Sequence, residues 1–235
     1  MAKHFIDPEF AAANVREVAL DAGKLAPALA LASQVQALTD ADRFVQLEYA
    51  GQTVNLSAKR PDNWRSDISW WSADDPDSFA YFQRLFDDLG MAGVVAPYVD
   101  HSEQIRLFAG FFVMRRWCTE EDMHFDWDEG NNDGFTLMAP LTANAADLGL
   151  AYLDFRLQRR VYSYTMGRGV VFGDLFMHST QAGETDEPAV FLCFNFGTDK
   201  MDRWPQLSQT TGHQGRLHRR PDGVFVLDQV PLTSG

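Results

Sequence analysis

A series of short strand-like segments, separated by turn-rich clusters, dominates the chain from about residue 104 onward. The segments are rich in β-branched and aromatic residues, and Gly, Asn, Asp and Pro concentrate between them, notably at 128–134 and 182–188. Several short strands at near-regular spacing favour a β-sandwich or a β-barrel. The strand-like segments are 105–117, 134–141, 149–156, 160–166, 169–176 and 189–196.

Helices and one hairpin are expected in the first 100 residues. Asp7 as N-cap and Pro8 at the first helical position predict a helix over 8–22, with Gly23 at its end. Phenylalanine and leucine at helical spacing predict an amphipathic helix over 77–89. Further predicted elements are a helix over 25–37, a hairpin with strands around 45–49 and 54–56, and a loop over 58–76.

These elements predict a mainly β fold with flanking N-terminal helices. The length of 235 residues suits one large domain, and a 46% share of hydrophobic residues supplies a large core. We therefore expect a single domain over 1–235. Its helical and hairpin flank covers 1–100, its β-barrel core 104–197 and its C-terminal extension 198–235.

Charge and cysteine content limit the classes of partner. The net charge is −13, whereas nucleic-acid phosphates are bound by clustered Lys and Arg. The two cysteines, Cys118 and Cys193, cannot form a disulfide framework and fit small buried hydrophobes in a reducing compartment. The N-terminus lacks the apolar run of a signal peptide, and no apolar stretch approaches the length of a membrane span. We expect a cytoplasmic protein that binds a small molecule, without a nucleic-acid or membrane partner.

Two short motifs carry the candidate chemistry. His124-Phe125-Asp126 places an imidazole and a carboxylate two residues apart, so both point to one face of an extended strand. A second imidazole, His178, ends an apolar strand-like run. An imidazole among apolar neighbours needs a partner, which is either a metal or a backbone carbonyl. Asp128 shares the parity of Asp126 and is a rival ligand at this stage.

Two imidazoles and one carboxylate are the ligand set of non-haem Fe(II) oxygenases. On one face of an octahedral metal they leave three positions for a co-substrate and O₂. A lone His-x-Asp is weak evidence, and the distal histidine is what gives the pattern its weight. His124, Asp126 and His178 are therefore the predicted metal ligands and catalytic residues.

The pattern resembles the Fe(II)/2-oxoglutarate-dependent dioxygenase superfamily, particularly its phytanoyl-CoA hydroxylase-like branch. That branch has His-x-Asp at a strand end, then a Gly-Asp turn, a hydrophobic strand and a distal His followed by Ser. The matching residues here are His124 and Asp126, Gly173-Asp174, 175–177, and His178-Ser179. The resemblance covers roughly 105–197. It implies a double-stranded β-helix of jelly-roll or cupin type.

The same resemblance implies a cofactor and a reaction. Fe(II) would be held by His124, Asp126 and His178, with 2-oxoglutarate and O₂ as co-substrates. The implied reaction is hydroxylation of a small molecule through a ferryl intermediate, or its desaturation or cyclisation. The iron performs the chemistry, and the protein supplies ligands, orientation and a dry pocket.

One expected residue is missing. Members of the family usually carry an Arg about ten residues after the distal His, which binds the far carboxylate of 2-oxoglutarate. The stretch 187–191 contains no base. A buried carboxylate without a cation is costly, so another residue must supply the charge, or 2-oxoglutarate is not the co-substrate. The predicted co-substrate-binding residues are Arg156, Arg160 and Arg168, with Arg115 and Arg116 as further candidates.

Two other functions remain open at this stage. An iron-dependent oxidase would take all its electrons from the substrate and use no 2-oxoglutarate, and the missing arginine is its support. A non-catalytic β-barrel would bind a ligand, with the same three side chains holding a structural or non-redox metal. Succinate release separates the first alternative from the oxygenase. Metal content and O₂ consumption separate the second.

Overall fold

Sixteen β-strands and four α-helices occupy the residues that the computed structural model describes, which are 4–61, 65–127, 131–228 and 230–231. The strands are β1 Ile6–Asp7, β2 Ala12–Ala13, β3 Val15–Ala19, β4 Phe44–Tyr49, β5 Gln52–Lys59, β6 Ser69–Ala73, β7 Arg106–Cys118, β8 Gly134–Pro140, β9 Leu150–Leu153, β10 Arg159–Tyr162, β11 Arg168–Gly173, β12 His178–Thr180, β13 Gly183–Gly197, β14 Leu217–Arg219, β15 Phe225–Leu227 and β16 Val230–Pro231. The helices are α1 Ala22–Gln36, α2 Pro76–Asp88, α3 Met91–Val95 and α4 Trp204–Gln214, with short 3₁₀ helices at Ala143–Asp147 and Met201–Arg203. Within the described ranges, no helix has the length and hydropathy needed to cross a membrane.

Ten strands form one large sheet in the order β2-β1-β3-β11-β8-β13-β7-β6-β5-β4. Two three-stranded sheets accompany it, β10-β9-β12 and β14-β15-β16. Buried side chains of β9 share an apolar cluster with side chains of β7, β8, β11 and β13. The sheet β10-β9-β12 therefore packs on one face of the large sheet, and the mainly β prediction is confirmed.

The central strands bury both of their faces. In β13, Phe194 packs in the core shared with α1 and α2, whereas Cys193 belongs to the core between the two sheets. In β7, Met114 lies on the helix side and Val113 between the sheets. Because side chains alternate along a strand, Arg115 shares the side of Val113 and enters the space between the sheets.

The predicted helix over 8–22 is wrong. The segment forms β1, β2 and β3, and its tight turns place Ala11 and Asn14 at φ of 49° and 54°. Strand β3 pairs with β11 along its whole length, and this long-range ladder outweighs the local helical signals. Helix α1 begins after its N-cap Asp21, whose side chain accepts a hydrogen bond from the backbone N–H of Lys24.

Most of the other predicted elements are confirmed with shifted ends. Helices α1 and α2 match the predictions over 25–37 and 77–89, and β4 with β5 forms the predicted hairpin. The predicted strand over 169–176 ends earlier, at Gly173. The C-terminal extension, in which no element was predicted, contains α4 and the three-stranded sheet β14-β15-β16.

The predicted loop over 58–76 contains a strand. Its residues 62–64 lie outside the described part of the chain. Strand β6 is buried throughout and pairs with both β5 and β7. Its Trp, Ser and Ala side chains fill both faces of a covered sheet, so the segment shows none of the alternation that marks a half-exposed strand.

Helix α2 lies directly on β7 at Gly110. A Cβ added there would lie 2.3 Å from Cβ of the fully buried Phe82. We expect Gly110→Ala to lower the free energy of unfolding by about 1–3 kcal/mol, because neither backbone can retreat from an overpacked contact. Urea denaturation measures the change. Gly93→Ala is the control, since nothing lies within 4 Å of a Cβ at that position. Equal stability of Gly110→Ala and the wild type would contradict this packing.

Candidate active site

His124 and His178 are cross-strand neighbours. The backbone N–H of His124 donates to the His178 carbonyl at 2.9 Å, and the His178 N–H donates to the His124 carbonyl at 3.0 Å. His178 is the first residue of β12, whereas His124 lies outside the named strands and meets it through an isolated bridge. Directly opposed residues present their side chains on one face, and the two ring centroids are 4.8 Å apart. The bridge therefore joins two imidazoles that are distant in the sequence.

Asp126 completes a cluster of three donor atoms. Its Oδ1 lies 3.4 Å from His124 Nε2 and 3.6 Å from His178 Nε2. The candidate ligand atoms of the three residues all lie within 4.8 Å of one another. The structure thus brings together the three residues predicted from the sequence. Asp128, the rival ligand, lies outside the described residues.

Backbone carbonyls fix the orientation of both imidazoles. His124 Nδ1 lies 2.6 Å from the Asp122 carbonyl oxygen, and His178 Nδ1 lies 3.0 Å from the Phe176 carbonyl oxygen. A carbonyl only accepts hydrogen bonds, so each Nδ1 carries a proton and each Nε2 is the atom left for a metal. Two imidazole nitrogens and one carboxylate oxygen fit a divalent transition metal such as Fe(II).

Electrostatics at the cluster favour a positive charge beside Asp126. Burial raises the pKa of Asp126, but the two histidines and the Thr136 hydroxyl outweigh it and hold the pKa below its usual value. Burial opposes the charged form of His124, yet the Asp126 carboxylate and the Asp122 carbonyl raise its pKa to about 9. Burial lowers the pKa of His178 and favours its neutral form. A divalent cation would supply the charge that this buried carboxylate attracts.

The three side chains line a cavity of about 70 Å³ between the two sheets. Most of its wall is apolar and comes from β6, β7, β8, β9 and β11. Four polar side chains outside the triad also reach it, and they are Arg115, Thr136, Thr180 and Gln214. Apolar walls with a few placed polar groups are typical of small-molecule sites.

Arg115 is a buried cation in this cavity, with only 2% of its surface exposed. Its Nη1 donates to Thr180 Oγ1 at 2.6 Å and its Nη2 to the Leu148 carbonyl at 2.7 Å. The guanidinium carbon lies 4.7 Å from the ring centroid of Phe191. Among the described residues no carboxylate pairs with it and its Nε has no hydrogen-bond partner, and burial lowers its pKa. Such a guanidinium favours an anionic group in the cavity.

The other candidate arginines lie on the surface. Arg160 Nε donates to Asp154 Oδ2 at 3.0 Å, and Arg168 forms an ion pair with Glu17. Arg156 and Arg116 are exposed. The structure therefore does not bring Arg156, Arg160 and Arg168 to the cavity. Arg156 lies in the turn between β9 and β10, and Arg160 lies in β10, the edge strand of the sheet β10-β9-β12. Arg168 is the exposed first residue of β11.

A second cavity, of about 200 Å³, adjoins the first and shares His124 and Thr180 with it. Its lining is more polar and includes the charged side chains of Arg65, Glu120 and Asp122. Arg65 and Glu120 form an ion pair across it. His124 and Thr180 thus border both a largely apolar cavity and a more polar one.

Comparisons with known proteins bear on the fold. No protein-family model and no curated protein sequence matches this chain. Its structure is similar to EctD from S. alaskensis with bound Fe (14% identity, TM-score 0.54, 83% of this chain and 77% of that chain). It is also similar to HygX from Streptomyces hygroscopicus with nickel and 2-oxoglutarate bound (13% identity, TM-score 0.52, 83% and 88%). A third similar structure is an oxidoreductase of the 2OG-Fe(II) oxygenase family from Burkholderia pseudomallei (12% identity, TM-score 0.51, 78% and 85%).

The chain therefore has the double-stranded β-helix fold of the Fe(II)/2-oxoglutarate oxygenases, as predicted. The assignment to the phytanoyl-CoA hydroxylase-like branch stays a prediction. Sequence reasoning did not single out Thr136, whose hydroxyl lies 3.1 Å from Asp126 Oδ2. A sign of its role was present in the sequence, because Thr136 is a polar residue within β8, a strand that is buried on both faces.

Proposed function

We propose that this protein is a non-haem Fe(II)/2-oxoglutarate-dependent oxygenase that oxidises a small molecule. The observation that carries the proposal is the cavity in which the buried Arg115 guanidinium, without a carboxylate partner among the described residues, meets a His-Asp-His cluster. The cluster suits a metal with open coordination positions, and the guanidinium suits a carboxylate. 2-Oxoglutarate has a keto-acid end for the metal and a second carboxylate for the arginine.

His124, Asp126 and His178 would hold the iron through Nε2, Oδ1 and Nε2. The Asp122 and Phe176 carbonyls keep both rings in the required tautomer and orientation. Bound iron would supply the activation of O₂ that a side chain cannot perform, with 2-oxoglutarate as the source of two electrons. The balanced reaction converts substrate, 2-oxoglutarate and O₂ to hydroxylated substrate, succinate and CO₂.

Arg115 would bind the far carboxylate of 2-oxoglutarate. It lies directly opposite Ala189 on β13, where the family's usual arginine would stand about ten residues after the distal His178. Both positions share the interior face, and alanine leaves room for the guanidinium from the neighbouring strand. Thr180 and Leu148 hold the Nη atoms, so the orientation of the fork is set before the co-substrate enters. In this arrangement Arg115 would take the place of the missing downstream arginine.

The remaining cavity walls would keep bulk water from the reacting centre. The side chains of Phe111, Val113, Met138, Leu150 and Phe172 line the cavity, and all are buried. A low-dielectric wall strengthens the contact between Arg115 and a carboxylate. It also limits side reactions of an activated oxidant with solvent.

A polar small molecule is the substrate class that the surroundings support. The lining of the second cavity includes the polar residues Ser179, Thr180 and Asp122 next to His124. HygX, which has a similar fold, is also known with nickel, 2-oxoglutarate and hygromycin B bound. The net charge of −13 further disfavours a nucleic-acid substrate.

Succinate formation tests the proposed reaction. The Fe(II)-loaded protein is expected to consume O₂ in the presence of 2-oxoglutarate and to release succinate, slowly without substrate and faster with it. Mass spectrometry quantifies succinate against O₂ consumed. O₂ consumption without succinate would point to the iron oxidase instead. Stoichiometric metal binding without any O₂ consumption would point to the non-catalytic barrel.

A further inference from the structure

A line of buried hydrogen bonds leads away from the Asp126 carboxylate. Thr136 Oγ1 lies 3.1 Å from Asp126 Oδ2 and 3.1 Å from Trp127 Nε1. It also lies 3.4 Å from Asn195 Oδ1, the cross-strand neighbour on β13. Thr136 and Trp127 are each 4% exposed and Asn195 is fully buried, so solvent does not compete for these bonds.

The chemistry of the groups decides which atom donates in each of these hydrogen bonds. An indole N–H only donates, so Trp127 must donate to Thr136 Oγ1. The threonine hydroxyl then has its own hydrogen left for an acceptor. The ionised Asp126 oxygen is both nearer and charged, and it therefore outcompetes the Asn195 amide oxygen. The Asn195 amide nitrogen is occupied with Gln214 Oε1 at 2.7 Å.

The indole ring of Trp127 packs against the backbone at Gly134, where there is no room for a side chain. A Cβ there would lie 2.4 Å from Cε3 of the indole ring. The ring packs over the first residue of β8, two residues before Thr136, and its N–H reaches the hydroxyl from that position. The position of the indole N–H is thus fixed by packing of the ring against the backbone.

We propose that Thr136 is a positioning residue that assigns the two oxygens of Asp126 to different tasks. Its hydroxyl occupies Oδ2, and Oδ1 is left facing His124 Nε2 and His178 Nε2. Asp126 then offers a metal one oxygen, and further positions stay open for co-substrate and O₂. This inference rests on the metal site of the proposed function.

Thr136→Val removes the hydroxyl at nearly constant volume and tests the proposal. The dissociation constant for Mn(II) is measured from the electron paramagnetic resonance signal of the free ion. We expect Thr136→Val to weaken Mn(II) binding about 10- to 100-fold and Thr136→Ser to restore it to the wild-type value. Thr211→Val is the matched control, since it removes a buried hydroxyl that donates to the Leu207 carbonyl.

Thermal unfolding of each variant without added metal reports any structural effect separately. Trp127→Phe keeps a ring over Gly134 and removes the indole N–H, so it provides a second variant if Thr136→Val does not fold. It is expected to weaken Mn(II) binding by a smaller factor than Thr136→Val. Wild-type affinity in both Thr136→Val and Trp127→Phe would overturn the proposal, as would equal losses in Thr136→Val and Thr136→Ser. Failure of the wild type itself to bind Mn(II) would instead overturn the metal site.

Discussion

Arg115→Met is expected to raise the dissociation constant for 2-oxoglutarate about 100-fold, which corresponds to about 2.8 kcal/mol. The guanidinium is buried, held by Thr180 and Leu148, and without a carboxylate partner in the described chain. Charge-assisted hydrogen bonds to a carboxylate in such a place contribute about 1.5–3 kcal/mol each. Anaerobic titration of the metal-loaded variant with 2-oxoglutarate measures the loss.

Pyruvate separates binding of the far carboxylate from a general effect on the site. It has the keto-acid end and lacks the second carboxylate, so its weaker affinity should be the same in Arg115→Met and in the wild type. Arg160→Met is the matched surface control, because Arg160 pairs with Asp154 outside the cavity. Unchanged 2-oxoglutarate affinity in Arg115→Met, or equal losses for both keto acids, would contradict the assigned role of Arg115.

His124→Ala is expected to weaken Fe(II) binding at least about 1,000-fold, which corresponds to about 4 kcal/mol. The substitution removes one of three donor atoms and leaves Asp126 and His178 without the geometry of a facial site. Because the His124 side chain is 40% exposed, its removal should cost less folding stability than removal of the buried His178. Iron content after desalting, with oxidation activity, measures the effect.

His178→Ala is expected to give the same loss of iron with a larger loss of stability. Its ring is buried and stacks on Phe176 at 5.4 Å between centroids. His101→Ala is the control, because that imidazole bonds to the Val99 carbonyl away from the cluster. Wild-type iron content in His124→Ala would show that this residue is not a ligand.

The pairing of His124 with Asp126 was predictable because its signal is local. His124 and Asp126 lie two residues apart, and the resemblance pointed to His178 as the distal histidine. Helix α2 was likewise predictable, from the spacing of its phenylalanine and leucine residues within a single segment. The segment around 8–22 was not, because its pairing partner β11 lies about 150 residues away in the chain.

The position of Arg115 required the structure. The run over 105–117 is apolar on both faces, so its sequence does not say which of the two alternating sets of side chains points into the barrel. The sequence alone therefore does not distinguish Arg115 from Arg116, yet Arg115 is buried beside the His-Asp-His cluster and Arg116 is exposed. The register that sets Arg115 against Ala189 decides between them.

Anaerobic titration of the Fe(II)-loaded protein with 2-oxoglutarate tests the central claim most directly. Chelation of Fe(II) by the keto-acid end gives a weak visible charge-transfer band. We expect this band to saturate at one equivalent of bound 2-oxoglutarate, to be absent in His124→Ala and to need far more 2-oxoglutarate in Arg115→Met. Stoichiometric iron without the band in the wild type would contradict the 2-oxoglutarate-dependent oxygenase.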